Sequence, residues 1–236
     1  MKINKYIVIA SIFLVISIIT FFTLRTSNNY VKTEAASNAK NAVNELSENQ
    51  VKSLKTKIAQ LKESDIISGE EDAKVTIIEY ASYSCFHCGD FFKNIYPKIA
   101  EKYISTGKVR FIFRDFPLDT PSLKASQIVR CLPKDGKKNF MKILLESQKS
   151  WAFTKDFDKN LENLSRVAGL TTSKYNQCYN DAKLEEEILQ ERIDVFNAYK
   201  ISSTPSFIIN GKRYEGGNNW YNISEYIDNL LQEGNE

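Results

Sequence analysis

The chain has 236 residues, with 32 Lys and Arg against 29 Asp and Glu for a formal charge of +3, 42% apolar residues, one histidine and four cysteines. Acids and bases are interspersed, so the charge leaves no basic footprint for nucleic acid. Beyond its first segment the composition is that of ordinary globular protein, enough for one domain with an insertion or for two small ones.

The first 25 residues carry a membrane signal. Lys2 and Lys5 precede an uncharged run from Tyr6 to Leu24, interrupted only by Ser11, Ser17, Thr20 and Thr23. As a helix this run is about 28 Å long, close to the roughly 30 Å hydrocarbon core. Lys2, Lys5 and the terminal amine outweigh Arg25 on the far flank, a bias that places the rest of the chain outside the cytoplasm. A cleaved signal peptide has a shorter apolar stretch with a small-residue site just after it, whereas the nearest such run here, "EAAS" at 34–37, lies well downstream. The favoured reading is an uncleaved anchor, and a cleaved soluble form is the alternative. After a polar linker, residues 35–63 contain no Gly or Pro and place apolar side chains at 43, 46, 51, 54, 58 and 61, a helical stripe with one break in register. Two readings fit: a stalk through which the chain forms a homo-oligomer, and a surface helix lying on the domain.

From Lys74 the pattern becomes a buried strand, "KVTIIEYAS", followed by the motif "SYSCFHCGDFF" and an amphipathic helix over about 85–104. The apolar face of that helix is Phe91, Phe92, Ile95, Ile99 and Tyr103, and Pro97 should kink it. A turn at Gly107, a second strand over 108–113 and an exit at Pro117 complete a right-handed βαβ unit. Residues 120–198 show no strand signal and read as three or four helices. "PSFIINGKRYEG" returns to a strand pattern, with Asn210-Gly211 as a type I′ hairpin signal, and a last helix covers about 222–232. The expected organisation is a signal anchor at 1–25, a linker and helical stalk at 26–65, an α/β domain at 66–119 and 199–236, and a helical insertion at 120–198.

Cys85 and Cys88, with His87 between them, admit three readings. Structural zinc takes four ligands; no second C-x-x-C follows, and His87 is held too tightly between the pair to complete a tetrahedron. A purely structural disulfide would close a ring too small to restrict the unfolded chain. A dithiol that cycles between oxidised and reduced forms explains the placement. A sulfur at a helix start faces unpaired backbone N–H groups and the positive end of the helix dipole, and both favour a thiolate. His87 adds a donor or a positive charge at the same spot. If the Cys85 pKa fell from about 8.5 to about 4.5, the dithiol would gain roughly 3.4 kcal/mol at pH 7, or about 70 mV. Cys88, one turn further in, would stay a thiol and resolve. Glu79 is the one acid in an otherwise apolar strand: either it lies beneath the motif, where a carboxyl exchanges a proton with the buried cysteine through water, or it faces solvent.

With these residues the chain resembles the DsbA-like branch of the thioredoxin superfamily, exported thiol:disulfide oxidoreductases. The match runs from about 66 to 236 and includes "IIEYASYSCFHC", "GKVRFIFRDFPL", the helical insertion and "STPSFIINGKRYEG". The resemblance implies a thioredoxin-like fold in which Cys85 is attacked, Cys88 resolves and Glu79 assists proton transfer. It also implies a cis peptide between Thr204 and Pro205, which with Phe86 would meet an extended, unfolded substrate chain. It further implies periplasmic work at the cytoplasmic membrane, reoxidation by a DsbB-like or other quinone-linked membrane protein, and no bound cofactor. Two departures stand out. The best-known oxidases of this family have Pro where this chain has Phe86, and many have Val where it has Thr204, a residue common there in isomerases and reductases. The Cys-x-His-Cys form still favours oxidation. An isomerase or reductase working as an oligomer is the alternative, and a tethered protein that holds unfolded clients without turnover is the rival from another class.

Cys131 and Cys178 fall in separate helices of the insertion. Bridging them would stabilise the fold by roughly 4 kcal/mol in the chain-entropy model, and the pair reads as structural, with a second, electron-relaying redox pair as the alternative. The stretch "EGGNNWY" at 215–221 is either a rim beside Pro205 or a plain loop, and Trp151 and Phe153 either pack the insertion or overlook the motif.

Overall fold

Two runs of β-branched and aromatic residues build the centre of the sheet. Val75–Ala81 (β2) and Val109–Asp115 (β3) pair in parallel, from Val75 opposite Val109 to Ala81 opposite Asp115. Both alternations are apolar, as a sheet covered on two faces requires. In the computed structural model, which describes residues 46–233, the crossover between them is the helix Phe86–Asn94 (α2), the short helix Tyr96–Ile99 (α3) and a π turn over Ala100–Ile104. The interruption expected at Pro97 falls at Ile95, with φ −111°. Pro97 instead occupies the first turn of α3, where its missing N–H leaves no hydrogen bond unmade.

Ser206–Ile209 (β4) runs antiparallel to β2, and Lys212–Arg213 (β5) antiparallel to β4. Asn210 and Gly211 between them both have positive φ, 46° and 76°, as the I′ turn demands. A strand not anticipated, Ile66–Ser68 (β1), pairs antiparallel with β3 at the far edge and gives the order β1-β3-β2-β4-β5. Three residues are too few to show a period.

The insertion holds six helices rather than three or four: Thr120–Cys131 (α4), Lys134–Glu146 (α5), Gln148–Trp151 (α6), Phe157–Val167 (α7), Thr172–Tyr179 (α8) and Ala182–Tyr199 (α9). Two segments whose sequences read as one helix each, "KKNFMKILLESQKSW" and "SKYNQCYNDAKLEEEILQERIDVFNAYK", are split. One breaks at Ser147; the other breaks at Asn180-Asp181, where the Asp181 carboxylate accepts the Leu184 N–H and starts a new helix. Cys131 and Cys178, 47 residues apart, are disulfide-bonded and join α4 to α8. Trp220–Gln232 (α10), capped by Asn219, closes the fold.

Three apolar clusters hold these layers. Ile77, Phe111 and Phe207 meet Phe91 and Ile99 and, from α10, Ile223 and Ile227. On the other face Ile78, Ile112 and Ile208 meet Val195, Ala198 and Tyr199 of α9. The insertion has its own core around Ile128, Phe140, Leu144 and Trp151, and this core reaches the motif through Tyr83, Cys88 and Phe92.

The stalk expected over 35–63 is not what its described part forms. Glu48–Ala59 (α1) lies on the domain, with Leu54 and Ile58 packed among Ile78, Val195 and Tyr199, and from Glu48 onward the chain is one compact unit. With Ile58 buried and Leu54 partly buried against its own domain, α1 does not present these two as a seam for a homo-oligomer. The expected anchor at 1–25 and residues 26–45 lie outside the described residues. Among the described residues no helix is long and apolar enough to cross a membrane.

Arg114 fixes the end of α1. Its guanidinium binds Asp65 through two hydrogen bonds of 2.7 and 2.8 Å and donates to the carbonyls of Ile58 and Gln60, with both ionic side chains almost fully buried. Breaking such a pair from one side leaves a buried charge without its partner. Asp65→Ala is therefore expected to lower the unfolding free energy by about 3–5 kcal/mol in urea melts, and replacing both partners by apolar residues to cost less than that.

Candidate active site

β2 ends at Ala81, and Ser82–Ser84 lead into α2 with Cys85 as its N-cap, in extended conformation at φ −72° and ψ 118°. No side chain caps this helix end, so no side-chain oxygen competes there with the Cys85 sulfur for the first N–H groups. The Cys85 thiol is brought down to about 5. The largest cause is the Cys88 thiol, which hydrogen-bonds to it; partial burial opposes, and Thr204 and the backbone N–H groups of Cys88 and His87 add to the lowering. Cys88, fully buried, is pushed the other way: burial, the hydrogen bond to Cys85 and the nearby Glu79 carboxylate all hold it as a thiol. Neither cysteine is disulfide-bonded in this structure.

His87 reaches the sulfur with its backbone N–H, while its ring is exposed, with its centroid 5.9 Å from that of Phe86. Phe86 is 61% exposed beside the motif. The Thr204-Pro205 peptide is cis, and the Thr204 carbonyl lies 3.4 Å from Cys85 Sγ. The Thr204 hydroxyl is buried with no hydrogen-bond partner. A hollow of about 570 Å³ opens next to Pro205, lined by His87, Asp90, Thr204, Asn218 and Asn219 among others. Asn218 donates to the Pro205 carbonyl at 3.3 Å, so part of the "EGGNNWY" stretch does border this hollow. Trp151 is buried in the insertion core with its indole N–H on the Leu144 carbonyl, and Phe153 is exposed.

Glu79 lies on β2 opposite Phe113 and Phe207, on the face that α2 covers, and is 1% exposed. Its Oε1 has no hydrogen-bond partner. It borders a cavity of about 10 Å³ with Phe92, Tyr96 and Met141, at the lower limit for one water. Burial first, and the Cys85 charge second, push its carboxyl up to about 8.

Several residues holding the motif give no sign in the sequence. Ser82 and the Tyr83 N–H both bind Ser122 Oγ, and Ser84 Oγ sits 2.8 and 2.7 Å from the two oxygens of Asp119, which also caps α4. Only the cap is foreshadowed, by an Asp placed just ahead of "TPS" at a helix start.

Known proteins match this arrangement. The family model described as Thioredoxin covers residues 61–229. The chain belongs to the thioredoxin superfamily, in its DsbA-like branch. A relative from Rickettsia bellii, named "Putative protein-disulfide oxidoreductase", is 31% identical over 187 residues, which are 78% of this chain and 71% of that one. The crystal structure of Wolbachia pipientis alpha-DsbA1 superposes with a TM-score of 0.67 at 33% identity, over 76% of this chain and 96% of its own. Oxidised BdbD from Bacillus subtilis shares the fold at 22% identity, with a TM-score of 0.62 over 72% and 94%. This DsbA-like chain is a thiol:disulfide oxidoreductase that exchanges disulfides with substrate proteins.

The buried carboxyl of a DsbA-like chain has a stability consequence. An unfolded glutamate releases its proton near pH 4.3, while folded Glu79 keeps it up to about pH 8. The folded state therefore binds the extra proton between these values, and stability falls as pH rises through that window. Glu79→Gln is expected to match the wild type near pH 4 and to exceed it by about 2–4 kcal/mol at pH 7, read from urea melts at both pH values.

Proposed function

We propose that the protein is an exported oxidase that donates disulfides to unfolded chains through Cys85 and Cys88. The observation that carries this reading is the Cys85 sulfur at an uncapped helix start, with a thiol near 5 beside a Cys88 that stays protonated. A substrate thiolate attacks Cys85 Sγ of the oxidised pair and forms a mixed disulfide. The Cys85–Cys88 bond breaks, and Cys88 takes a proton that Glu79 supplies through water. A second substrate thiolate then attacks the substrate's own sulfur, and Cys85 leaves as a thiolate. Two substrate thiols become one disulfide, and two electrons rest on Cys85 and Cys88.

At pH 7 the lowered thiol raises the potential by at most about 60 mV, and by less than that because water screens a half-buried sulfur. This lies in the direction of an oxidant. Thr204, Pro205 and Phe86 receive the substrate segment as an added strand, which selects unfolded chain rather than one sequence. The Cys131–Cys178 bond acts as a structural staple. Residues 1–25 tether the domain to the outer side of the cytoplasmic membrane, or direct export and are cut, and a DsbB-like, quinone-linked membrane protein reoxidises it. No bound cofactor takes part. The isomerase or reductase reading is favoured by one observation, the buried, unpartnered Thr204 hydroxyl where many oxidases of the family have an apolar residue.

The absorbance of the Cys85 thiolate, titrated against pH in the reduced protein, is expected to rise with a midpoint near 5, and reduced ribonuclease to be oxidised faster than scrambled ribonuclease is repaired. A midpoint near the free-cysteine value of about 8.5 removes the oxidase reading. Cys85→Ser should abolish disulfide formation; client binding that survives with no loss of disulfide formation identifies a holding protein instead.

A further inference from the structure

The residues that hold the motif from behind include one amide whose placement suits more than packing. We propose that Gln148 of the helical insertion is a positioning residue that holds the start of α2 in its working geometry. This inference rests on the reading of Cys85 as the redox sulfur.

Gln148 is buried, and its Nε2 donates to the carbonyls of Tyr83 and Cys85, both at 2.8 Å. Both amide hydrogens are thus committed to the two carbonyls on either side of Ser84. The Cys85 carbonyl also accepts the N–H groups of Cys88 and Gly89 at 3.1 Å each. With three donors the carbonyl is held fast, and with it the plane of the peptide that begins the helix. The N–H of His87, and that of Cys88 shared between the Cys85 carbonyl and the sulfur, are the backbone groups that bind Cys85 Sγ. A tilt of the first peptide turns them away.

Gly89 shows how close the amide lies. A Cβ at that position would stand 2.5 Å from Gln148 Oε1 and 2.9 Å from the Leu145 carbonyl, so the insertion presses against the first turn of α2 with no room for a side chain. Gln148 is itself backed by rigid structure, since Trp151 of the same short helix is fully buried and bonded to Leu144. From the other side Ser122 accepts the Tyr83 N–H at 2.9 Å. The insertion therefore holds the backbone before Cys85 by its N–H and its C=O together.

A core amide that merely satisfies two carbonyls would change stability and leave the sulfur alone. The two roles are separated by measuring thiolate titration, the equilibrium constant with glutathione and urea stability on the full chain for wild type, Gln148→Met, Gln148→Glu and Gly89→Ala. For Gln148→Met we expect the Cys85 midpoint to rise by about one unit, the size of one lost charge-assisted hydrogen bond. The equilibrium constant should move about tenfold toward the reducing side, or about 30 mV. Gln148→Glu, which sets an anion against the two carbonyls, should shift further. Gly89→Ala, which displaces the amide without altering it, should shift in the same direction, and it carries the test if Gln148→Met fails to fold. Variants that titrate with the wild type near 5 while losing stability overturn the role of Gln148 and leave the oxidase reading intact. A wild type that titrates like free cysteine overturns both.

Discussion

The fold turns on a helix that begins without a cap. Four helices among the described residues start at an Asp, Asn or Thr whose oxygen accepts an early N–H, at Asp119, Thr171, Asp181 and Asn219. α2 starts at Cys85 and has none. An oxygen cap contributes about 1 kcal/mol to a helix. Cys85 forgoes it in the thiol state and recovers it as a thiolate, because a negative sulfur is then the acceptor. The missing cap couples the stability of α2 to the charge of one atom, the one on which the proposed exchange depends.

The asymmetry between the two sulfurs follows from their depth. Cys85 is half-buried at the helix mouth and Cys88 is fully buried one turn in, so solvent and backbone donors favour charge on the first and burial forbids it on the second. Glu79 extends this gradient downward: a carboxyl with one oxygen unpartnered, beside a space the size of one water, is a costly residue to place under a sheet. The buried ion pair at Arg114 and Asp65, by contrast, has its polar atoms satisfied. One buried acid has its oxygens bound and the other has an oxygen without a partner.

What the sequence made legible was whatever is written in periodicity or in a special residue type. The alternating β-branched runs announced β2 and β3, Asn210-Gly211 announced the hairpin, and Cys85 and Cys88 marked the site without help from any tertiary contact. The cis bond before Pro205 came only through family resemblance, since an X-Pro pair carries almost no local mark of its isomer. β1 was invisible because three residues show no alternation. The burial of Glu79 was undecidable from its strand, since it depends on α2 crossing above it. The stripe over 35–63 was legible, but a stripe does not name its partner; for its described part, α1, the partner is α9 of the same domain.

The same limit explains why Gln148, Ser122 and Gly89 went unread. Each acts across the boundary between the sheet domain and the insertion, where spacing along the chain says nothing about proximity. The insertion core runs without a break from Trp151 and Phe140 to Cys88 and Phe92, so the two parts share one packed interior. A close-packed interior transmits small displacements rather than absorbing them. The inserted helices pack directly against the turn that carries the sulfur, a contact that neither amphipathicity nor the cysteine motif expresses.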